Sequence, residues 1–139
     1  MAVWIDRILL AALVIVVAIL TLTSLGSLSG DPLGGNTLLA HMVTSGVLVV
    51  GLPVFAIAFL RHMAKPETSV TQGIGVLLTI AAGLISIVTV FLCMLPLPST
   101  AQMHTLIVVH GWAGFAMIPA VALLLIGVVA TRSASRPRS

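Results

Sequence analysis

The chain alternates long apolar runs with short polar or proline-containing breaks. The apolar runs are Ile8–Leu25, Thr37–Leu60, Val70–Leu95 and Ala101–Thr131. Each has about the 20 residues that an α-helix needs to cross roughly 30 Å of hydrocarbon. Because lipid offers no water to backbone groups, such runs form helices when they lie in a membrane. The pattern therefore predicts an all-α integral membrane protein, a four-helix bundle that makes residues 1–139 a single transmembrane domain.

The breaks between the runs have the composition of chain reversals. Ser27–Asn36 is rich in glycine and serine, and Lys65–Thr68 is polar. Leu95–Thr100 contains two prolines, which cannot continue a helix. The four helices are therefore expected to alternate in direction.

The composition supports this class and excludes others. Hydrophobic residues make up 60% of the chain and charged residues 6%, against about 25% charged in a soluble domain. So few charges exclude a soluble enzyme, a disordered tail and a nucleic-acid-binding domain. The single cysteine, Cys93, excludes a disulfide framework and a cysteine-rich metal site.

All the basic residues fall at run ends that alternating helices place on one side. They are Arg7, Arg61, Lys65, Arg132, Arg136 and Arg138. The two opposite loops contain Asp31 but no lysine or arginine. The positive-inside rule then predicts cytoplasmic N- and C-termini in the inner (plasma) membrane, with an uncleaved first helix. The net charge of +3 suits anionic lipid headgroups and does not imply nucleic acid.

Two histidines lie at matching depth in the second and fourth runs. His41 is 20 residues from Arg61, or about 30 Å along a helix. His110 is 22 residues from Arg132, or about 33 Å. These runs are parallel, and each also carries a mid-run proline, which suggests a duplicated hairpin. Two imidazoles at one level on parallel helices are what a planar macrocycle needs as axial ligands, so we expect His41 and His110 to be the metal ligands.

Small residues follow both histidines by about one turn. Ser45 and Gly46 follow His41, and Gly114 follows His110. At these positions they leave room for a flat porphyrin to approach the helix backbone. We therefore expect them to line the cofactor.

The other two histidines fit different roles. His104 lies about 9 Å further out than His110, where it either hydrogen-bonds a haem propionate or faces water. His62 adjoins Arg61 at the predicted interface, and no other histidine faces it for a second haem.

The stretch His110-Gly111-Trp112-Ala113-Gly114 resembles the His-x-Trp-x-Gly segments of cytochrome b561-type membrane proteins. The segment from His41 to Gly46 is more loosely similar to their other ligand helix, and together these helices cover about half the chain. The resemblance implies a helical bundle that holds haem b through paired histidines and moves electrons across or along the membrane. The chain departs from the family in having ligands for one haem, where most members hold two. The family's quinone or ascorbate site has no recognisable counterpart here.

We therefore expect one haem b between the second and fourth helices, near the non-cytoplasmic face. With little mass outside the bilayer, the chain would act as a subunit among other membrane redox subunits. A c-type cytochrome or a quinol is the expected exchange partner. Whether the chain is itself an enzyme stays open.

Two other functions remain as alternatives. The first is a cofactor-free accessory subunit of a membrane complex. The second is a metal transport component, because copper favours the thioether and imidazole ligands found at His41-Met42, His62-Met63 and Met103-His104. Adjacent helical residues point about 100° apart, which disfavours the copper site.

Overall fold

The computed structural model describes residues 2–26, 34–63 and 68–134, and these residues form four helices. They are α1 (Ala2–Ser24), α2 (Gly35–Met63), α3 (Val70–Met94) and α4 (Thr100–Ala134). Each helix is long and apolar enough to cross a membrane. The prediction of an all-α chain with four such helices is confirmed.

The helices extend beyond several of the predicted bounds. α1 begins at Ala2 and so includes Asp6 and Arg7, which precede the apolar run. α2 likewise continues past Leu60 to Met63, and α4 continues to Ala134. Hydropathy marks only the part of a helix that suits lipid, whereas helical hydrogen bonding continues through polar residues. Of the predicted loops, residues 27–33 and 64–67 lie outside the described residues.

The chain divides into two compact units, Met1–Phe55 and Ala56–Ser139. The first unit contains α1 and most of α2. Its buried apolar side chains recur every three or four residues, at Leu10, Leu13 and Val17 in α1 and at Leu48, Leu52 and Phe55 in α2. This spacing gives each helix one buried face.

In the second unit, α3 packs antiparallel against α4 through two glycines. A Cβ atom at Gly75 would overlap the backbone of Leu124, and one at Gly127 would overlap the backbone of Gln72. Both positions therefore require glycine. Such close backbone approach through small residues is typical of helix pairs in membranes.

The buried face of α3 is unusually polar. Besides Val76 and Ala82 it carries four buried polar side chains, which are Gln72, Thr79, Ser86 and Thr89. Thr79 is fully buried, and its hydroxyl has no hydrogen-bond partner among the described residues. The contact between α3 and α4 is therefore a polar seam and not a purely apolar one.

Helices α3 and α4 begin with the same Ser-x-x-Gln motif, which is used in two ways. At α4, the Ser99 amide donates to Gln102 Oε1 (2.7 Å) and the Gln102 amide donates to Ser99 Oγ (3.4 Å). This is a closed capping box. At α3, the Gln72 amide again donates to Ser69 Oγ (3.2 Å), but Gln72 Oε1 accepts from the Thr131 hydroxyl of α4 at 3.0 Å.

Ser69 extends this link between α3 and α4. Its amide donates to Thr131 Oγ1 (3.3 Å), and its hydroxyl donates to the Gly127 carbonyl (3.2 Å). The start of α3 is thus fastened to α4 beside the close contact at Gly127. Ser69 and Gln72, which form the N-terminal cap of α3, therefore also hydrogen-bond to α4.

We expect Gly75→Leu and Gly127→Leu to destabilise the α3–α4 pair, since the added side chain would occupy the space of the opposing backbone. Overpacking of this kind typically costs about 1–3 kcal/mol or more. Loss of helicity during titration with a denaturing detergent measures the effect. Gly111→Leu in α4 is the matched control, because a Cβ there meets no described atom within 4 Å. A Gly127→Leu variant as stable as the Gly111→Leu variant would contradict the prediction.

Candidate functional site

His41 is held by hydroxyl groups from the last turn of α1. Its side chain is half-buried near the start of α2. Its Nδ1 atom lies 3.0 Å from Thr23 Oγ1 and 3.3 Å from Ser24 Oγ. The first unit therefore fixes this imidazole through one ring nitrogen.

His110 is held in the same way by α3. Its half-buried ring places Nδ1 at 2.9 Å from the Ser86 main-chain carbonyl oxygen. The same atom lies 3.2 Å from Ser86 Oγ and 3.3 Å from Thr89 Oγ1. The antiparallel register set at Gly75 and Gly127 brings the last third of α3 beside the first third of α4, where His110 lies.

The two hairpins thus repeat one arrangement, each within its own unit. In both, the second helix carries a histidine whose Nδ1 contacts serine and threonine side chains near the end of the preceding helix. In both, a proline follows within the same helix, at Pro53 and Pro119. The hydroxyl contacts extend the similarity between the hairpins that the sequence suggests.

The glycines near the two histidines have a different environment from those that pack α3 on α4. A Cβ atom added at Gly46, Gly111 or Gly114 would meet nothing within 4 Å among the described residues. Helix packing in the described structure therefore does not require glycine there. Ser45 is half-buried beside them. A flat cofactor bound through an imidazole would need open backbone of this kind beside the ring.

The remaining histidines are placed differently. The side chain of His104 is exposed on α4, six residues before His110. The backbone of His62 lies in the last turn of α2, and its side chain lies outside the described residues. Among the described residues, neither takes part in the hydroxyl contacts made by His41 and His110.

The described residues contain no group of three or more histidine, cysteine, aspartate and glutamate side chains able to hold a metal ion. A haem bound by two imidazoles needs no such group, because the porphyrin nitrogens supply the other ligands. That finding therefore does not bear on His41 and His110 as candidate ligands.

Sequence reasoning missed the hydroxyl residues that hold the two rings. Thr23 and Ser24 close the first apolar run, and Ser86 and Thr89 lie three apart on one helical face of the third. In antiparallel neighbouring helices, the end of one helix lies level with the start of the next. Hydroxyl residues late in one helix and a histidine early in the next are therefore the pattern in the sequence that indicates these contacts.

Comparisons of the chain with protein-family models, with curated proteins and with solved structures find no match. The resemblance of His110–Gly114 to cytochrome b561-type segments stays a prediction. The structural features relevant to function are the hydrogen bonds of the His41 and His110 rings and the open backbone near them.

We expect Gly114→Leu to leave the fold intact and to weaken haem binding, because the leucine would fill the open face one turn from His110. Overpacking by about 1–3 kcal/mol corresponds to roughly 5- to 150-fold weaker binding. Haem titration followed by absorbance measures this. Ala116→Leu is the matched control, since Ala116 is exposed and about 120° away from His110 on α4. Equal haem affinity in the two variants would argue against a porphyrin at Gly114.

Proposed function

We propose that this chain is an integral membrane cytochrome b, with four transmembrane helices and one haem b whose iron is bound by His41 and His110. The observation that carries the proposal is the repeated anchoring of both imidazoles through Nδ1. A histidine that binds a metal through one nitrogen almost always uses the other in a hydrogen bond, which fixes the ring. Both candidate ligands have that second bond.

Three further features favour haem over two unrelated structural histidines. The rings lie at similar distances along their helices from Arg61 and Arg132, about 30 and 33 Å. Small or open positions, Ser45, Gly46 and Gly114, follow both. A single interhelical hydrogen bond in a membrane is worth only about 0.6 kcal/mol, which is a weak reason to keep two imidazoles in apolar helices.

The residues of this chain would have separate roles in binding haem. His41 and His110 bind iron, and the small residues admit the porphyrin. The exposed side chain of His104, about one and a half turns further out than His110, would either hydrogen-bond a haem propionate or face water. Bound haem b supplies a centre that accepts and gives up one electron.

Membrane insertion is supported by the surfaces of the helices. Large apolar side chains are exposed on all four, among them Ile8, Val50, Leu77 and Val129. So much exposed apolar surface suits contact with a lipid bilayer. At the N-terminal end of α1, the Arg7 guanidinium lies 5.5 Å from the centre of the Trp4 ring. Tryptophan and arginine at a helix end are typical anchors at the lipid headgroups.

The distribution of basic residues supports cytoplasmic termini in an inner (plasma) membrane. The haem would then lie in the non-cytoplasmic third of the bilayer, too far from the cytoplasm to carry electrons across alone. Its partners would be other membrane redox subunits, with a c-type cytochrome or a quinol exchanging electrons on the outer side.

A cofactor-free accessory subunit is the second candidate, and one observation favours it. The hydroxyl and carbonyl contacts of His41 and His110 are bonds between helices that form without any cofactor. A visible spectrum separates the two functions. Haem b bands in protein purified after haem-replete expression support the cytochrome, and their absence supports the accessory subunit.

We expect His41→Ala and His110→Ala each to abolish the low-spin spectrum of bis-histidine haem, because each removes one axial ligand. Difference spectra of reduced and oxidised protein measure the loss. His104→Ala and His62→Ala are the controls and should retain the spectrum. A shift of the haem midpoint potential in His104→Ala is compatible with the assignment. Intact low-spin haem in either ligand variant, or loss of haem in His104→Ala, would show that the wrong pair was assigned.

We expect an impermeant reductant to reduce the haem from the non-cytoplasmic side of sealed, oriented vesicles. The reason is the depth of the ligands, about 30 Å of helix from the cytoplasmic arginines. Stopped-flow absorbance with the reductant added on either side gives the two rates. Permeabilised vesicles serve as the control for total haem. Rapid reduction from the cytoplasmic side alone would contradict both the orientation and the proposed partners.

A further inference from the structure

We propose that Thr23, Ser24, Ser86 and Thr89 are positioning residues that keep His41 and His110 protonated on Nδ1, which in a neutral ring leaves the lone pair on Nε2. The role of that lone pair as an iron ligand rests on the proposed haem function. The tautomer itself is inferred from the groups that contact Nδ1 in each ring.

At His110, the main-chain carbonyl of Ser86 decides the tautomer. A carbonyl oxygen accepts hydrogen bonds and cannot donate. At 2.9 Å from Nδ1, it requires that Nδ1 carry the proton. In a neutral imidazole the other nitrogen, Nε2, then has the lone pair.

Thr89 is consistent with the same tautomer. Its hydroxyl lies 2.8 Å from the Ile85 carbonyl and 2.9 Å from the Ser86 carbonyl, so its single proton points to the main chain of α3. Its lone pairs therefore face Nδ1 at 3.3 Å and accept from it. The N–H of His110 thus faces two acceptors, the Ser86 carbonyl and the Thr89 hydroxyl.

At His41, the back-bonding of two hydroxyls in α1 gives the same result. Thr23 Oγ1 lies 2.8 Å from the Ile19 carbonyl, and Ser24 Oγ lies 2.8 Å from the Leu20 carbonyl. Each hydroxyl has one proton, and when it donates that proton to the main-chain carbonyl its lone pairs face Nδ1. If Nδ1 carried a lone pair, it could accept from one hydroxyl at most and would repel the other. A proton on Nδ1 makes both contacts attractive.

The arrangement would also tune the iron. An imidazole that donates from Nδ1 to an oxygen is a more basic ligand at Nε2. A more basic ligand stabilises the oxidised metal and lowers its reduction potential. The four hydroxyl residues therefore act on the redox centre through the histidines, without touching it.

The tautomer is measurable on the full chain in detergent by nitrogen-15 NMR of the histidine rings, before haem is added. Signals are assigned with single histidine substitutions. We expect His41 and His110 to show a protonated Nδ1 and an unprotonated Nε2. Thr23→Val together with Ser24→Ala should remove this bias at His41. A wild-type chain with either ring protonated on Nε2 would overturn the inference, whether or not the protein binds haem.

The same variants then test the effect on haem. Thr23→Val with Ser24→Ala should weaken haem binding by about 10- to 100-fold, the usual effect of losing such a partner, and raise the midpoint potential. Thr23→Ser keeps the hydroxyl and should restore both values. Thr89→Val should have a smaller effect, because the Ser86 carbonyl still accepts from His110. Bound haem with an unchanged potential in the double variant would refute the positioning role. A wild-type chain that binds no haem but shows the expected tautomer would refute the cytochrome and leave the positioning of the rings standing.

Discussion

The close approach of α3 and α4 at Gly75 and Gly127 determines the geometry of the second unit. Each glycine faces backbone of the other helix, so the helices cannot slide without a clash. The resulting register fixes which residues meet further along. It brings Ser86 and Thr89 level with His110, and it brings Thr131 to the start of α3. Two residues with no side chain thus decide which side chains interact.

Polar groups add to apolar packing in this helix pair. Where the outer surface of a helix is as apolar as its surroundings, burial of apolar area provides little force for association. The α3–α4 pair combines close packing at the glycines, buried apolar side chains such as Val76 and Leu124, and hydrogen bonds between the start of α3 and the end of α4. Thr79, buried without a partner in the described residues, shows that this polar seam is not fully paired. A buried hydroxyl in that state typically costs about 1–3 kcal/mol.

The sequence predicted the four helices well, because length and hydropathy are enough to identify a long apolar helix. It predicted the helix ends less well. Polar residues such as Asp6 and Arg61 continue a helix beyond its apolar run, where hydropathy gives no signal. The starts of α3 and α4 are marked instead by Ser-x-x-Gln motifs. The candidate ligands His41 and His110 are predicted from their depth, which depends only on residue counts. Their hydroxyl partners are not predictable in this way, because they depend on how neighbouring helices align. In the α3–α4 pair that alignment is set by Gly75 and Gly127, which the sequence does not distinguish from its other glycines.

If the chain is inserted into a membrane as proposed, the repeated hairpin has a consequence for the order in which its histidines are paired. Helices leave the insertion machinery in sequence, and a lone imidazole among lipid chains is an expensive group to deliver. Here each histidine belongs to the second helix of a hairpin whose first helix already carries its hydroxyl partners. Each ring can therefore be paired on Nδ1 as its own helix emerges, before the other hairpin has been made. In the proposed cytochrome, each hairpin would then be inserted with its histidine already paired, and haem would bind afterwards.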